Sequence, residues 1–325
     1  MAEWLIERGI GETRAALIED GAIVEARIEL DGITPAGTIL AARLVDVGQV
    51  GRNAVARDAS GTEYLLANGP SGTTQGGALN IEILREAIPG SEPWKRPLAR
   101  ATGKRPSPAG TLSERLAGAV RELAFPAPGR DALGEAGWDD LLEQARSAVV
   151  EFAGGKLRIA PTPAMTLIDV DGVLAPAELG IAGAVESART IRRLDIGGSI
   201  GIDLPTVGGK APRLAAAAAI DQHLPHPFER TAVNGFGFVQ IVRPRSRPSL
   251  LEIWSDAAAA EARALLRRSA LSGLGPRRLV AHPRVIAVLD QNAAWLEALA
   301  RQVGGGVSLR PDPTLPISAG HAEPA

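Results

Sequence analysis

Two short apolar runs, each ending on an aspartate, constrain this chain more than any other feature. Residues 165–170 read Met-Thr-Leu-Ile-Asp-Val, followed at once by Asp171 and Gly172, and residues 199–204 read Ser-Ile-Gly-Ile-Asp-Leu. Runs of this length bounded by turn residues are buried-type strands. Between them Ile181, Ala184, Val185, Ala188, Ile191 and Leu194 share one helical stripe, which Gly197-Gly198 stops as a C-terminal glycine does. An alanine-rich helix over 211–224 and a third strand over 233–242 follow. Strand, helix, strand, helix, strand is an α/β pattern. Asp169 and Asp203 then stand at the C-terminal ends of strands, where α/β sheets bind ligands.

The flanking sequence reads as smaller units. Residues 12–30 form a hairpin about Glu19-Asp20-Gly21, because Asp-Gly between alternating apolar runs is a tight-turn signal. Short β-like runs over 37–85, separated by Gly, Ser and Asn, predict a small barrel. Residues 89–108 carry repeated Pro together with Lys95, Arg96, Arg100, Lys104 and Arg105, and read as a basic linker or exposed clamp. Helical periodicity covers 112–123 and 138–149, and a hairpin turns at Gly154-Gly155. The C-terminal part repeats the logic: Ser255-Asp256 caps a helix to Leu271, then come a strand at 278–281, one helix over 284–303, and a strand at 306–309. The Pro-rich tail after Pro311 is expected to be mobile.

Composition narrows the chemistry. Cysteine is absent, which removes disulfides, zinc ribbons and thiolate catalysis. With 45% hydrophobic and 22% charged residues the chain is globular. No apolar run of about 18 residues exists, and the first residues are charged, so the reading is a cytoplasmic protein with no membrane partner. The net charge of −2 requires any nucleic-acid surface to concentrate its positive charge locally. No histidine pair has metal-ligand spacing on a helix face.

Carboxylates at strand ends suit Mg²⁺, a hard ion that takes one or two of them and completes its shell with waters and phosphate oxygens. The run Asp169-Val170-Asp171-Gly172-Val173 is similar to the nucleophile motif of haloacid-dehalogenase-type phosphatases, with Asp169 as nucleophile and Asp171 as general acid. That family's paired acidic motif downstream is missing.

A longer resemblance covers about 95 residues. The stretch from Gly155-Lys156-Leu157-Arg158-Ile159 through Leu167-Ile168-Asp169-Val170-Asp171 resembles the ribonuclease E/G family. So does Ala188-Arg189-Thr190-Ile191-Arg192-Arg193-Leu194-Asp195-Ile196-Gly197-Gly198-Ser199-Ile200-Gly201-Ile202-Asp203. So does Phe236-Gly237-Phe238 through Arg243-Pro244-Arg245 to Pro248-Ser249-Leu250.

The resemblance implies an α+β multidomain protein. It comprises an N-terminal hairpin region (1–34), an S1-like OB-type barrel (35–90), a basic linker and helix (91–135), a DNase I-like catalytic domain (136–252) and a small C-terminal α/β domain (253–325). It further implies a Mg²⁺-dependent endoribonuclease that cuts single-stranded RNA, from rRNA precursors or mRNA, to 5′-phosphate and 3′-hydroxyl ends. Asp169 and Asp203 would hold the metal. Asp171, where the family has Asn, would orient Asp203 or share the ion. Arg243 would neutralise the scissile phosphate, with Arg245 beside it. Tyr64 would stack a base in the barrel and Arg85 supply positive charge there, while the family's second stacking position falls near Ala56. The family's 5′-phosphate-sensing insertion is missing. Its zinc link between protomers needs cysteines, so an oligomer would have to form another way. A non-catalytic RNA-binding relative is the competing expectation.

Overall fold

A computed structural model describes residues 2–48, 53–67, 69, 72–89, 95–127 and 130–325. The sequence reading divides the chain at 34, 90, 135 and 252. Its compact units cut it differently: one gathers 1–31, 116–146 and 253–325, the other 32–115 and 147–252.

In the first unit, β1 (Glu3–Arg8), β2 (Glu12–Glu19) and β3 (Ala22–Leu30) form an antiparallel meander. The predicted hairpin turn is present, with Asp20 and Gly21 both at positive φ, as a type I′ turn requires.

The barrel strands of the second unit come next: β4 (Ile39–Asp46), β5 (Ala54–Arg57), β6 (Glu63–Leu66), β7 (Ala78–Arg85) and β8 (Leu98–Thr102). They close in the order β4-β5-β6-β8-β7. Residues 98–102 therefore correct the sequence reading. Within the expected linker, Leu98–Thr102 pairs with both β6 and β7, and Ala99 is fully buried in the barrel core. The small alternating residues there fit a strand; the surrounding Pro and Arg residues hid them. Residues 90–94 of that expected linker lie outside the described residues.

The chain then returns to the first unit through α1 (Leu112–Arg115), β9 (Ala119–Leu123), α2 (Ala132–Glu135) and α3 (Trp138–Ser147). The helix expected over 112–123 is in fact one turn followed by a strand, because β9 pairs in parallel with β1 and completes the sheet β3-β2-β1-β9. Edge pairing has overridden helix periodicity here.

The second unit's open sheet contains β10 (Val149–Phe152), β11 (Gly155–Pro161), β12 (Thr166–Gly172), α4 (Pro176–Arg193), β13 (Gly198–Asp203), α5 (Ala211–His223), β14 (Glu229–Arg230) and β15 (Phe238–Arg243). Its strand order is β10-β11-β12-β13-β15-β14, with β12 and β13 parallel and the other pairs antiparallel. The expected third strand thus begins five residues late, because 234–237 form a turn. Helix α4 lies against β11 and β12 and packs on α5. Ala184, Ala188, Ile191 and Leu194 of the predicted stripe are buried, and small residues widen it: Gly180, Gly183, Ser187 and Thr190 are buried too, while Ile181 is exposed. Close approach explains this, since a Cβ on Gly183 would lie 2.3 Å from Val170 Cγ1. The helices thus cover one face of β12, where Ile168 and Val170 are buried. Leu167, Asp169 and Asp171 project from the other face and are exposed.

The last segment completes the first unit with α6 (Leu250–Trp254, at the boundary), α7 (Ala257–Leu271), β16 (Arg277–Ala281), α8 (Pro283–Gln291), α9 (Ala293–Val303), β17 (Val307–Pro311) and β18 (His321–Pro324). Asp256 caps α7 as expected, its side chain accepting from the Ala259 N–H at 3.2 Å. The single helix expected over 284–303 breaks at Asn292, whose side chain donates to the Val288 carbonyl at 2.7 Å. The tail expected to be mobile ends instead in β18, antiparallel to β16. Leu265, Leu266, Leu279, Leu289 and Leu299 form this region's core.

Helix α7 also explains why the N-terminal meander belongs with the C-terminal segment. Its Arg263 reaches Glu12 at 2.8 Å, and its Arg267 reaches Glu7 at 2.8 Å and Asp131 at 2.5 Å. Arg14 joins the same buried network through Glu7 at 2.6 Å and Glu12 at 2.7 Å. Charges buried to this degree are stable only when paired. Among the described residues no helix is long and apolar enough to cross a membrane.

Candidate functional site

The open face of the six-stranded sheet assembles the site. In the parallel β12–β13 ladder Asp169 is the direct partner of Asp203, so the two side chains leave neighbouring strands on the same face. Directly opposed residues on neighbouring strands are about 4.8 Å apart. Both aspartates are exposed. Asp171 lies on the same face two residues on, because side chains alternate along a strand.

The other neighbour of β12 contributes positive charge. In the antiparallel β11–β12 ladder Arg158 faces Asp169 and Lys156 faces Asp171, and Arg158 Nη1 stands 3.9 Å from Asp171 Oδ2. Beyond Asp203, β15 places Phe238 opposite it and Gln240 opposite Gly201. The absence of a side chain at Gly201 makes room for the Phe238 ring, which would lie 2.5 Å from a Cβ there. Gln240 Nε2 donates to Ser199 Oγ at 3.0 Å. A cleft of about 370 Å³ beside the acids is lined by Glu151, Lys156, Asp171 and Val173.

The electrostatics follow from this crowding. Partial burial, then the carboxylates of Asp171 and Asp203, raise the pKa of Asp169, and Arg158 opposes them. A carboxylate pair in this situation gains from a nearby cation. Among the described residues no group of three or more His, Asp or Glu side chains is placed to hold a metal ion by itself. The donor set does fit Mg²⁺, which is commonly held by one or two carboxylates with waters and phosphate oxygens filling its remaining positions.

The other residues expected at the site lie elsewhere. Arg243 pairs with Gly198, five ladder positions from the Phe238–Asp203 pair, a separation of about 17 Å. It projects to the helix-covered face, where its Nη1 donates to the Ile196 carbonyl at 3.0 Å. It closes the C-terminal end of α4 and is not beside the acids. Arg245 is ion-paired to Glu252.

Tyr64 corrects the stacking expectation. It is fully buried in the barrel core, opposite Ala56 in the β5–β6 ladder, and its hydroxyl donates to Asp58 Oδ2 at 2.9 Å. An aromatic strand residue can serve a core or a surface equally well, and the sequence alone does not distinguish them. Arg85 donates from Nη2 to the Arg96 carbonyl at 2.9 Å. Burial, then the charge of Arg245, lowers its pKa, with Glu252 opposing. Arg85, Arg245 and Glu252 thus share one partly buried cluster. The barrel also carries a cleft of about 570 Å³ lined by Arg43, Arg57, Asp58 and Gln75.

Lys156 and Arg158 were missed as site residues, although their spacing of two on a strand next to the acidic one was a readable signal. No protein-family model matches the chain, and no curated protein matches it.

Proposed function

We propose that this protein is a Mg²⁺-dependent endoribonuclease of the ribonuclease E/G type, acting on single-stranded RNA. The observation that carries the reading is the register pairing of Asp169 with Asp203 on an open sheet face. Supporting it, the barrel order β4-β5-β6-β8-β7 is compatible with an OB-type, S1-like nucleic-acid module, which would use the Arg43–Arg57 cleft. The helix-backed sheet β10–β15 serves as the DNase I-like catalytic part.

Asp169 and Asp203 would hold the ion. Once bound there, a divalent cation neutralises phosphodiester charge and lowers the pKa of a water molecule. The side chains do the rest. Arg158 and Lys156, one strand away, take the role expected of Arg243 by holding phosphate oxygens. Asp171 lies 3.9 Å from the Arg158 guanidinium, which favours its lying over the face. The helices behind Ile168 and Val170 fix the strand ends, so the carboxylates stay in place as the substrate arrives. Water adds to phosphorus, the bond to the 3′-oxygen breaks, and the products carry 5′-phosphate and 3′-hydroxyl ends. Proteins of this kind work in the cytoplasm.

The test is cleavage of a fluorescent single-stranded RNA with Mg²⁺ and with EDTA, beside Asp203→Asn. Metal-dependent cutting lost in the variant supports the reading. Binding without cutting would replace it with that of an RNA-binding relative.

A further inference from the structure

Phe236 is 80% exposed, and among the described residues every other Phe, Tyr and Trp is buried or half-buried. Exposed apolar side chains are common, but an exposed aromatic ring offers a flat face on which a base can stack. The ring is held there by a tightly bonded turn. Asn234 Oδ1 accepts from the Phe236 N–H at 2.9 Å and the Phe238 N–H at 3.0 Å. The Thr206 hydroxyl donates to the Phe236 carbonyl at 2.9 Å. Gly237 has φ 93°, and a Cβ there would lie 2.1 Å from the Leu204 carbonyl oxygen. The turn therefore presses directly on the strand end that carries Asp203.

Position adds a second argument. Phe238, two residues after Phe236, is the ladder partner of Asp203, so the ring stands at the same end of the sheet as the acids. Positive charge accompanies it. Lys210 is exposed in the loop that leaves Asp203. Arg213 Nη1 lies 3.9 Å from where a Cβ on Gly235 would be. A planar aromatic surface with Arg213 beside it, and Lys210 on the loop leaving Asp203, is what a nucleobase and its flanking phosphates need, and stacking on such a platform tolerates any base.

We propose that Phe236 is a base-stacking residue: it takes one nucleobase of the single strand whose backbone crosses Asp169 and Asp203, with Lys210 and Arg213 meeting the adjoining phosphates. This rests on the nuclease reading of the acidic pair and adds to it a contact that sets the register of the strand over the acids.

The experiment measures binding of a short fluorescent single-stranded RNA to the full chain, in EDTA and in Mg²⁺. It compares wild type, Phe236→Ala, Phe236→Trp and Phe236→Leu against a set of oligonucleotides carrying one abasic site at successive positions. Phe236→Ala is expected to bind about 5- to 150-fold more weakly. Phe236→Trp should match wild type, and Phe236→Leu should resemble Ala because it is apolar without a π-face. Wild type should lose affinity at one abasic position, and Phe236→Ala should not respond there. If wild type binds and cuts but Phe236→Ala behaves identically on every oligonucleotide, the stacking proposal is overturned and the nuclease reading survives. If wild type binds no single strand under either condition, both fall. Circular dichroism melts of the variants exclude misfolding as the cause of a loss, and Phe236→Trp retains the platform if Ala disturbs the turn.

Discussion

Asp169 and Asp203 stand directly opposite one another on the parallel strands β12 and β13, with Arg158 facing Asp169 from the other side. Three charged groups on three adjacent strands thus form a row across the sheet. If two of them hold the cation, Asp169→Asn and Asp203→Asn each remove a ligand. Each should lower RNA cleavage by roughly 100-fold or more, the several kcal/mol a bound metal supplies to the transition state. Single-turnover assays at saturating protein would separate this from weakened RNA binding. Activity unchanged in both variants would sink the metal-site reading.

The same crowding affects stability in the opposite direction. Burial and the two neighbouring carboxylates raise the folded-state pKa of Asp169. A raised carboxyl binds more protons in the folded than in the unfolded chain, so stability falls as pH rises from the ordinary carboxylate range through the raised value. Without metal at neutral pH, Asp169→Asn should therefore raise Tm slightly, and the difference should vanish near pH 3. A lowered Tm at pH 7 would contradict the electrostatic account.

Arg158 and Arg243 should behave differently. Arg158 lies among the acids on the open face, whereas Arg243 closes the end of α4. Arg158→Ala is expected to weaken RNA binding uniformly across sequences and reduce the slope of log K against log salt by about 1, as loss of one phosphate contact does. Arg243→Ala should leave that slope unchanged and lower Tm. Salt titrations of both variants on one oligonucleotide decide between them.

Tyr64 is a core residue whose hydroxyl is bonded to Asp58. Tyr64→Ala should destabilise the barrel by about 3–5 kcal/mol, the cost of truncating a buried aromatic. Tyr64→Phe should cost about 1 kcal/mol for the lost hydrogen bond and leave RNA affinity as it was. Urea melts beside binding isotherms would show this. A large affinity loss in Tyr64→Phe with unchanged stability would restore a role in RNA contact.

Asp131 connects acid sensitivity to the buried network around Arg267. Burial works against its charged form, but the Arg267 guanidinium and the Gly134 N–H outweigh it and hold its pKa below the usual value. A depressed carboxyl contributes stability that is present above the unfolded-state pKa and is lost as pH falls through the native value. Asp131→Asn should therefore destabilise the protein by about 1–3 kcal/mol at pH 7, and the deficit should shrink in acid below the ordinary aspartate range. Equal deficits at pH 7 and pH 3 would rule out the ion pair as the cause.

Local pattern carried much of the architecture. Asp20-Gly21 announced its hairpin, Asp256 its helix, and the two apolar runs ending on Asp169 and Asp203 their strands, because these signals are written within a few residues. Where pairing partners are distant, the pattern misled. Residues 98–102 looked like linker until β6 and β7 supplied partners, and residues 119–123 looked helical until β1 did. Basic residues were the least legible part of the site. Arg243 and Arg245 stood out by motif, while Lys156, Arg158 and the exposed Phe236, which lie within the same motifs, were given no role at the site.

The sequence by itself determined which segments are strands and helices around the acidic runs, and that Asp203 ends its strand; Asp169 lies mid-strand instead, because pairing with β11 carries β12 on to Gly172. Periodicity and turn chemistry are local, and they survive in any context that lets the chain bury its apolar face. Only the tertiary structure decided that Asp169 and Asp203 are ladder partners, that Arg243 faces away from them, that Tyr64 is inside its barrel, and that the N-terminal meander is joined to α7 through buried ion pairs. Each of these depends on which residues meet across long stretches of chain. Register and burial settle that, and neither is expressed in the order of neighbouring residues.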